Sequence, residues 1–243
     1  YRCDWSSDVC SSDLASDTFG HFAICPQYFF TKEKVKEYNR KIEKVVNELA
    51  GQLQLLACND YEKELRVHDW ICQNIEYDYE GTDKDKISRV IASHNILGVF
   101  AYHKAQCEGI AKAVKVLLNA VDVKCIVVTG DSVKSGQSVP HAWNIVDIDG
   151  EPYQLDVTWD IGATGQNKQS KVYDYFNLTD ELMNQNHKAD DILPVCRSKK
   201  ANYYVQKGCS FQMRHRHVTV IRKLQSRICP FLGCYQNHAV GCP

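Results

Sequence analysis

Residues 141–160 read HAWNIVDIDGEPYQLDVTWD, with Asp149-Gly150 at the centre of two alternating runs. Asp-Gly is the strongest short hairpin signal in the chain, because a two-residue turn needs positive φ at both central residues. Such a turn sets the register: Ile148 faces Glu151, Trp143 faces Asp156 and His141 faces Thr158. Side chains alternate faces along a strand, so His141, Trp143, Asp156 and Thr158 share one face. His141 and Asp156 are then diagonal neighbours, about 7–8 Å apart at the backbone, within reach for an imidazole and a carboxylate. A slip of one residue would separate them.

Outward from the hairpin, VKCIVVTG (123–130) is β-branched and apolar on both faces, as an interior strand is. GDSVKSGQSVP (130–140) reads as a polar, glycine-bearing loop, and GATGQNKQ (162–169) as a second one. KVYDYFN (171–177) and ANYYV (201–205) read as further strands. Before the hairpin, CEGIAKAVKVLLNA (107–120) carries Ile110, Ala113, Val114, Leu117 and Leu118 on one stripe, the pattern of a half-buried helix. Thr31 caps a long helix with Val35, Tyr38, Ile42, Val45, Leu49, Leu53 and Leu56 on its apolar face. Asn59 and Glu62 form a capping box for a second helix bearing Leu65, His68, Ile71, Cys72 and Ile75. A loop, YDYEGTDKDK, and a short helix over 86–97 follow. Helices first and antiparallel strands after them predict an α+β fold.

The chain has 243 residues, a formal net charge of -1 and twelve cysteines. Its length suits one domain with a full core plus tails. Near-neutral charge without long basic or acidic blocks argues against nucleic acid or a membrane surface as partner, and no apolar run is long enough to span a bilayer. The chain starts at Tyr1 without the charged-then-apolar order of a signal peptide, so the compartment stays open. Eight of the twelve cysteines lie near the two ends, unlike a disulfide-stapled scaffold. Residues 1–14, YRCDWSSDVCSSDL, have no helical or strand period and resemble translated sequencing-adapter readthrough. Residues 15–58 form an N-terminal helical segment, 59–208 the main domain, and 209–243 an irregular, frameshift-like tail.

Cys107 stands at the start of its helix, where free N–H groups and the helix dipole favour a thiolate. Gly109 in that turn leaves room for a substrate backbone. Taken alone, Cys107 is as readily a buried core cysteine, and His141 with Asp156 an edge pair among core tryptophans. A helix-start cysteine, a strand-start histidine and an aspartate on the paired strand, in that order, are harder to assign to packing. Together they outline a nucleophile, a base and an orienting carboxylate.

At these residues the sequence resembles the transglutaminase-like superfamily, which includes transglutaminases, bacterial cysteine peptidases and uncharacterised bacterial proteins. QCEGIAKAVKVLL, HAWNIV and LDVTWD carry the resemblance, with DYEKELRVHDWICQNIEYD ahead of them and YDYFNLTDELM and NYYVQKG behind. It covers about residues 60–208 and implies a papain-like fold with Cys107 as nucleophile, His141 as base and Asp156 as orienter. Ile110 departs from the aromatic residue many members have there. The implied chemistry is attack of a thiolate on a peptide or glutamine-type amide, a thioester, and its transfer to water or to an amine. Gln106, Trp143 and Trp159 are candidates to support the oxyanion beside the Cys107 N–H. The implied partner is a peptide or protein substrate, with no cofactor and no metal, and relatives are often cell-envelope proteins. A non-catalytic binding or scaffold module on the same fold is the alternative, favoured if Cys107 and His141 stood apart. Cys229, Cys234, His238 and Cys242 do not fit a standard zinc spacing. Asp78, Asp83 and Asp85 read as a solvated turn, and His68 as a half-buried histidine.

Overall fold

The computed structural model describes residues 10–16, 22–28, 31–79, 92–134, 136–164 and 171–208. Strand β1 (Cys10–Ser16) pairs antiparallel with β2 (Phe22–Tyr28), so part of the stretch read as patternless is extended backbone. Thr31 opens α1 (Lys32–Gln52) by accepting the Lys34 N–H. Ile42 and Leu49 face the core as the period predicts, but Val46 is buried and Val45 only half-buried, and Leu56 is 82% exposed while Leu55 is fully buried instead. The cause is local: α1 ends at Gln52, Gln54 adopts φ 52°, and a 3₁₀ turn (Leu55–Ala57) rotates Leu55 inward. The expected capping box opens α2 (Asp60–Asn74), with the Glu62 N–H donating to Asn59 Oδ1 at 2.9 Å.

After α2, the short β3 (Glu76–Tyr77) runs parallel to β4 (Lys104–Ala105). Asp78 is buried rather than solvated, because the Ser93 hydroxyl donates to it and Lys104 Nζ lies 3.6 Å away. Asp83 and Asp85 lie outside the described residues. Of the expected helix over 86–97, residues 86–91 lie outside the described residues and Ala92 and Ser93 are helical; helix α3 then spans Ile96–Tyr102, started by the Asn95 side chain accepting the Leu97 N–H. Helix α4 (Cys107–Asn119) buries Ile110, Ala113, Val114, Leu117 and Leu118, the stripe read from the sequence.

The main sheet has β5 (Cys125–Lys134), β6 (Gln137–Ile148), β7 (Glu151–Leu155) and β8 (His187–Ala189), antiparallel in the order β7-β6-β5-β8. The β6–β7 register is the predicted one, Ile148 opposite Glu151, with Asp149 at φ 55° and Gly150 at φ 82° in the turn. Three expectations give way to tertiary partners. Residues 130–134 and 137–140 are not a loop but the continuation of β5 and β6, with Val133 opposite Ser138. Residues after Asp156 do not continue β7: helix α5 (Val157–Thr164) begins there. The 171–177 stretch is a turn whose backbone bonds Asp156 and Asp160 instead of a ladder, since the Asp156 N–H donates to the Tyr175 carbonyl and the Tyr175 N–H to Asp160 Oδ1. Helix α6 (Asp180–Met183) follows, and 201–205 gives a short helix, α7 (Tyr203–Gln206), capped by Asn202.

One core lies among α1, α2, α3 and α4 and the sheet residues Cys125, Val146 and Ile148. A second gathers Val128, Trp143 and Ile145 against Tyr175, Leu178, Met183 and Cys196. Among the described residues no helix is long and apolar enough to cross a membrane.

Strand β8 pairs with β5 over Gly130, Asp131 and Ser132. A Cβ at Gly130 would run into the Lys188 carbonyl and stand 2.8 Å from Ala189 Cα, both backbone atoms. Gly130→Ala is therefore expected to destabilise the protein by about 1–3 kcal/mol, the usual cost of overpacking, read as a lowered midpoint of urea unfolding. An unchanged midpoint would mean that β8 is not held against β5.

Candidate active site

Four elements converge at the start of α4. Cys107 is its first residue, with a half-buried free thiol. Gly109 leaves room, but for the chain itself rather than for a substrate: a Cβ would stand 2.5 Å from the Ser93 carbonyl and 2.9 Å from that of Asn95. Gln106 caps α4 with extended backbone, and its buried side-chain amide donates to the Asp78 carbonyl at 3.1 Å. That bond, with the Asp78 N–H donating to the Ala105 carbonyl, fastens β3 beside the cysteine. Tyr77 on β3 lies in the field of Cys107, and burial first and that thiol second push its pKa up.

His141 comes from β6 and Asp156 from the end of β7, and the predicted register brings them together. His141 Nε2 lies 2.7 Å from Asp156 Oδ2. A carboxylate only accepts, so Nε2 carries the hydrogen, and Nδ1 is the nitrogen left to serve Cys107, whose thiol acts electrostatically on the same ring. Burial works against charge on His141, but Asp156 and then Cys107 outweigh it, and its pKa is pushed up to about 10. Burial likewise opposes the Asp156 charge, and His141 and His187 overcome it, holding the carboxyl below its ordinary range.

Asp156 also explains the strand-to-helix break. Its Oδ1 accepts the Trp159 N–H at 3.1 Å, the geometry of a helix N-cap, and the free N–H groups of α5 favour its charge. Thr158 thus stands in a helix and not opposite His141.

Of the three supporting residues named from the sequence, two are committed elsewhere. The Gln106 amide holds Asp78, and the Trp143 indole donates to Gln154 Oε1 at 2.8 Å. Trp143 stacks beside His141, with ring centroids 6.0 Å apart, and Trp159 packs 4.7 Å from His187 and 6.3 Å from His141. Both tryptophans wall the imidazole. Sequence reasoning missed Tyr77 and His187. The first sat in a loop reading, and the second lies in NQNHKAD, which has no period to mark a strand.

A second polar network braces this one from behind. His68 on α2 is fully buried rather than half-buried, 3.1 Å from Asp160 Oδ2 and 3.3 Å from Asp69 Oδ1, and Lys171 pairs with Asp69. Burial opposes its charge, yet the Cys72 sulfur, Asp160 and Asp69 raise its pKa well above the ordinary value. The donor atoms of His141, Asp156 and His187 lie within 4.8 Å of one another, a set that suits zinc by type. Each is already engaged in a hydrogen bond that an ion would have to displace. Cys229, Cys234, His238 and Cys242 lie outside the described residues.

Residues 47–156, which contain Cys107, His141 and Asp156, match the family model of the transglutaminase-like superfamily. This part of the chain is similar to a transglutaminase-like core, and its helices packed on an antiparallel sheet make an α+β fold. The chain is 30% identical over 158 residues to the kyphoscoliosis peptidase of Mus musculus, covering 60% of this chain and 23% of that protein. It is 29% identical over 158 residues to the kyphoscoliosis peptidase of Homo sapiens, again 23% of its length. The chain thus spans about a quarter of the curated relatives it matches. A crystal structure of a TGase aligns with a TM-score of 0.41 and 15% identity over 62% of this chain and 44% of that one.

The ion pair has a pH signature. His141, raised from 6.5, contributes stability fully present below pH 6.5 and lost as pH climbs towards about 10. Asp156, depressed from 3.8, contributes stability present above pH 3.8 and lost as pH falls further. Asp156→Asn should cost about 3–5 kcal/mol between these limits, as breaking a buried pair does, and less above pH 6.5. Urea midpoints of both proteins across pH 4–9 check this, and a pH-independent gap would mean no ion pair.

Proposed function

We propose that the protein is a thiol-dependent hydrolase or acyltransferase acting on peptide or glutamine-type amide bonds, with Cys107 as nucleophile, His141 as base and Asp156 as orienter. The observation that carries this reading is the His141 imidazole held 2.7 Å from a fully buried carboxylate, with the helix-start thiol of Cys107 acting electrostatically on the same ring. A binding or scaffold module has no need of that arrangement. The similarity to peptidases supports amide substrates, and the near-neutral charge supports a protein partner over nucleic acid.

In this reading His141 takes the thiol proton on Nδ1, and the Cys107 sulfur attacks the substrate carbonyl carbon. Asp156 holds the Nε2–H tautomer and stabilises the imidazolium. The tetrahedral oxyanion meets the Cys107 backbone N–H, with the Tyr77 hydroxyl on β3 as the second donor. The C–N bond then breaks, the amine leaves with the proton from His141, and a thioester remains on Cys107. Water, deprotonated by His141, yields an acid; an amine yields a new amide.

The test is alkylation of Cys107 by iodoacetamide as a function of pH, read by peptide mass spectrometry, beside His141→Ala. Labelling should persist well below the ordinary thiol pKa of roughly 8.5 and fall at least tenfold at pH 6 in the variant. Labelling that follows an ordinary thiol and ignores His141→Ala would remove the reading.

A further inference from the structure

Asp156 serves two imidazoles. His187 Nε2 lies 3.0 Å from Oδ2, the same oxygen that His141 Nε2 approaches at 2.7 Å. His187 is 3% exposed and stands on β8, two strands from His141 in the sheet order. The register sets His141 opposite Gly130 and His187 opposite Ser132, so both rings project from one face of the sheet across a position that has no side chain. The far nitrogen of His187 is braced, since Nδ1 lies 2.6 Å from the Asn186 side-chain amide, which itself donates to the Tyr175 hydroxyl at 2.8 Å. Trp159 and Trp143 pack against the ring with centroids at 4.7 Å and 5.1 Å. Ring plane and donor direction are both held.

We propose that His187 is a positioning residue of the Cys107–His141–Asp156 site: its Nε2–H is a fixed second donor to Asp156 that keeps the buried carboxylate ionised and aimed at His141. The inference rests on the functional reading above and extends it to a residue from a different strand. A fully buried carboxylate stays ionised only while enough donors meet its lone pairs. Asp156 has three, namely His141, His187 and the Trp159 N–H, and only His187 is free of another duty: His141 must turn its charge on and off, and the Trp159 N–H belongs to the helix. The role asks for an N–H at Nε2 aimed at Oδ2, while Asn186 Oδ1 holds the ring from the Nδ1 side.

The experiment compares His187→Phe, which keeps a ring and removes the donor, with His187→Gln, whose Nε2 can occupy the place of the imidazole Nε2. Two readouts are taken on the full chain: the acid limb of Cys107 alkylation by iodoacetamide, and the 15N and proton resonances of the His141 Nε2–H across pH. In His187→Phe the acid limb should move up by about one to two pH units, the worth of a hydrogen bond to a buried charge. The His141 Nε2–H resonance should lose its ion-paired position over the same range, and His187→Gln should restore both. If His187→Phe melts cooperatively and keeps the wild-type limb and resonance, or if His187→Gln fails to restore them, the proposal is overturned. Should His187→Phe not melt cooperatively, His187→Asn decides, since its shorter amide cannot reach Oδ2: it shifts both readouts if the proposal holds and neither if it does not. Wild-type labelling indifferent to His141→Ala would sink the functional reading alone, because the Nε2–H resonance reports the Asp156 donor set whether or not the thiol reacts.

Discussion

A carboxylate taken wholly out of water keeps its charge only if protein donors replace the water it loses, and Asp156 is such a carboxylate, with no exposed surface. His141 and His187 meet one of its oxygens and the Trp159 N–H the other. These three bonds come from β6, β8 and α5, so one side chain fixes how three elements end beside one another. The same residue stops β7 and starts a helix. The local chain path and the electrostatics of the site are therefore one constraint: moving the carboxylate to suit one would leave donors of the other unpaired.

Around that centre, apolar burial and polar ties do different work. The helical core brings α4 against the sheet without specifying an angle, because hydrophobic attraction is non-directional. The angle comes from single bonds: the Asn144 amide donating to the Ala111 carbonyl at 2.9 Å, and the Gln106 amide to that of Asp78. On the far side, His68 between Asp69 and Asp160 ties α2 to α5, and Asp160 grips the Tyr175 backbone whose carbonyl receives the Asp156 N–H. The site has a rigid back made of buried charge pairs, and the half-buried Cys107 is its open front.

Local patterns were legible wherever they were also strong. The Asp149-Gly150 turn demanded its register, and the register set His141 against Asp156. The Asn59–Glu62 capping box and the α4 stripe were readable because cap and period are short-range properties. The readings that failed did so where a distant partner outweighed a local preference. Gln154 drew off the Trp143 indole, Asp78 drew off the Gln106 amide, and the Ser93 carbonyl filled the space that Gly109 leaves. Polar residues at 130–134 and 137–140 stayed extended because β5 pairs with β8 as well as β6.

What the sequence by itself determined is the α+β order and the hairpin register that sets His141 against Asp156, and it singled out Cys107 at the start of a helix, all from short-range signals. Only the tertiary structure brought His187 to the same Asp156 oxygen as His141, and β3 with Tyr77 beside the start of α4. The β8 segment has three residues and no period of its own, and its position depends on a bare Gly130 more than fifty residues earlier. Contacts of that separation leave no local trace, because backbone propensity and side-chain period report only on neighbours along the chain.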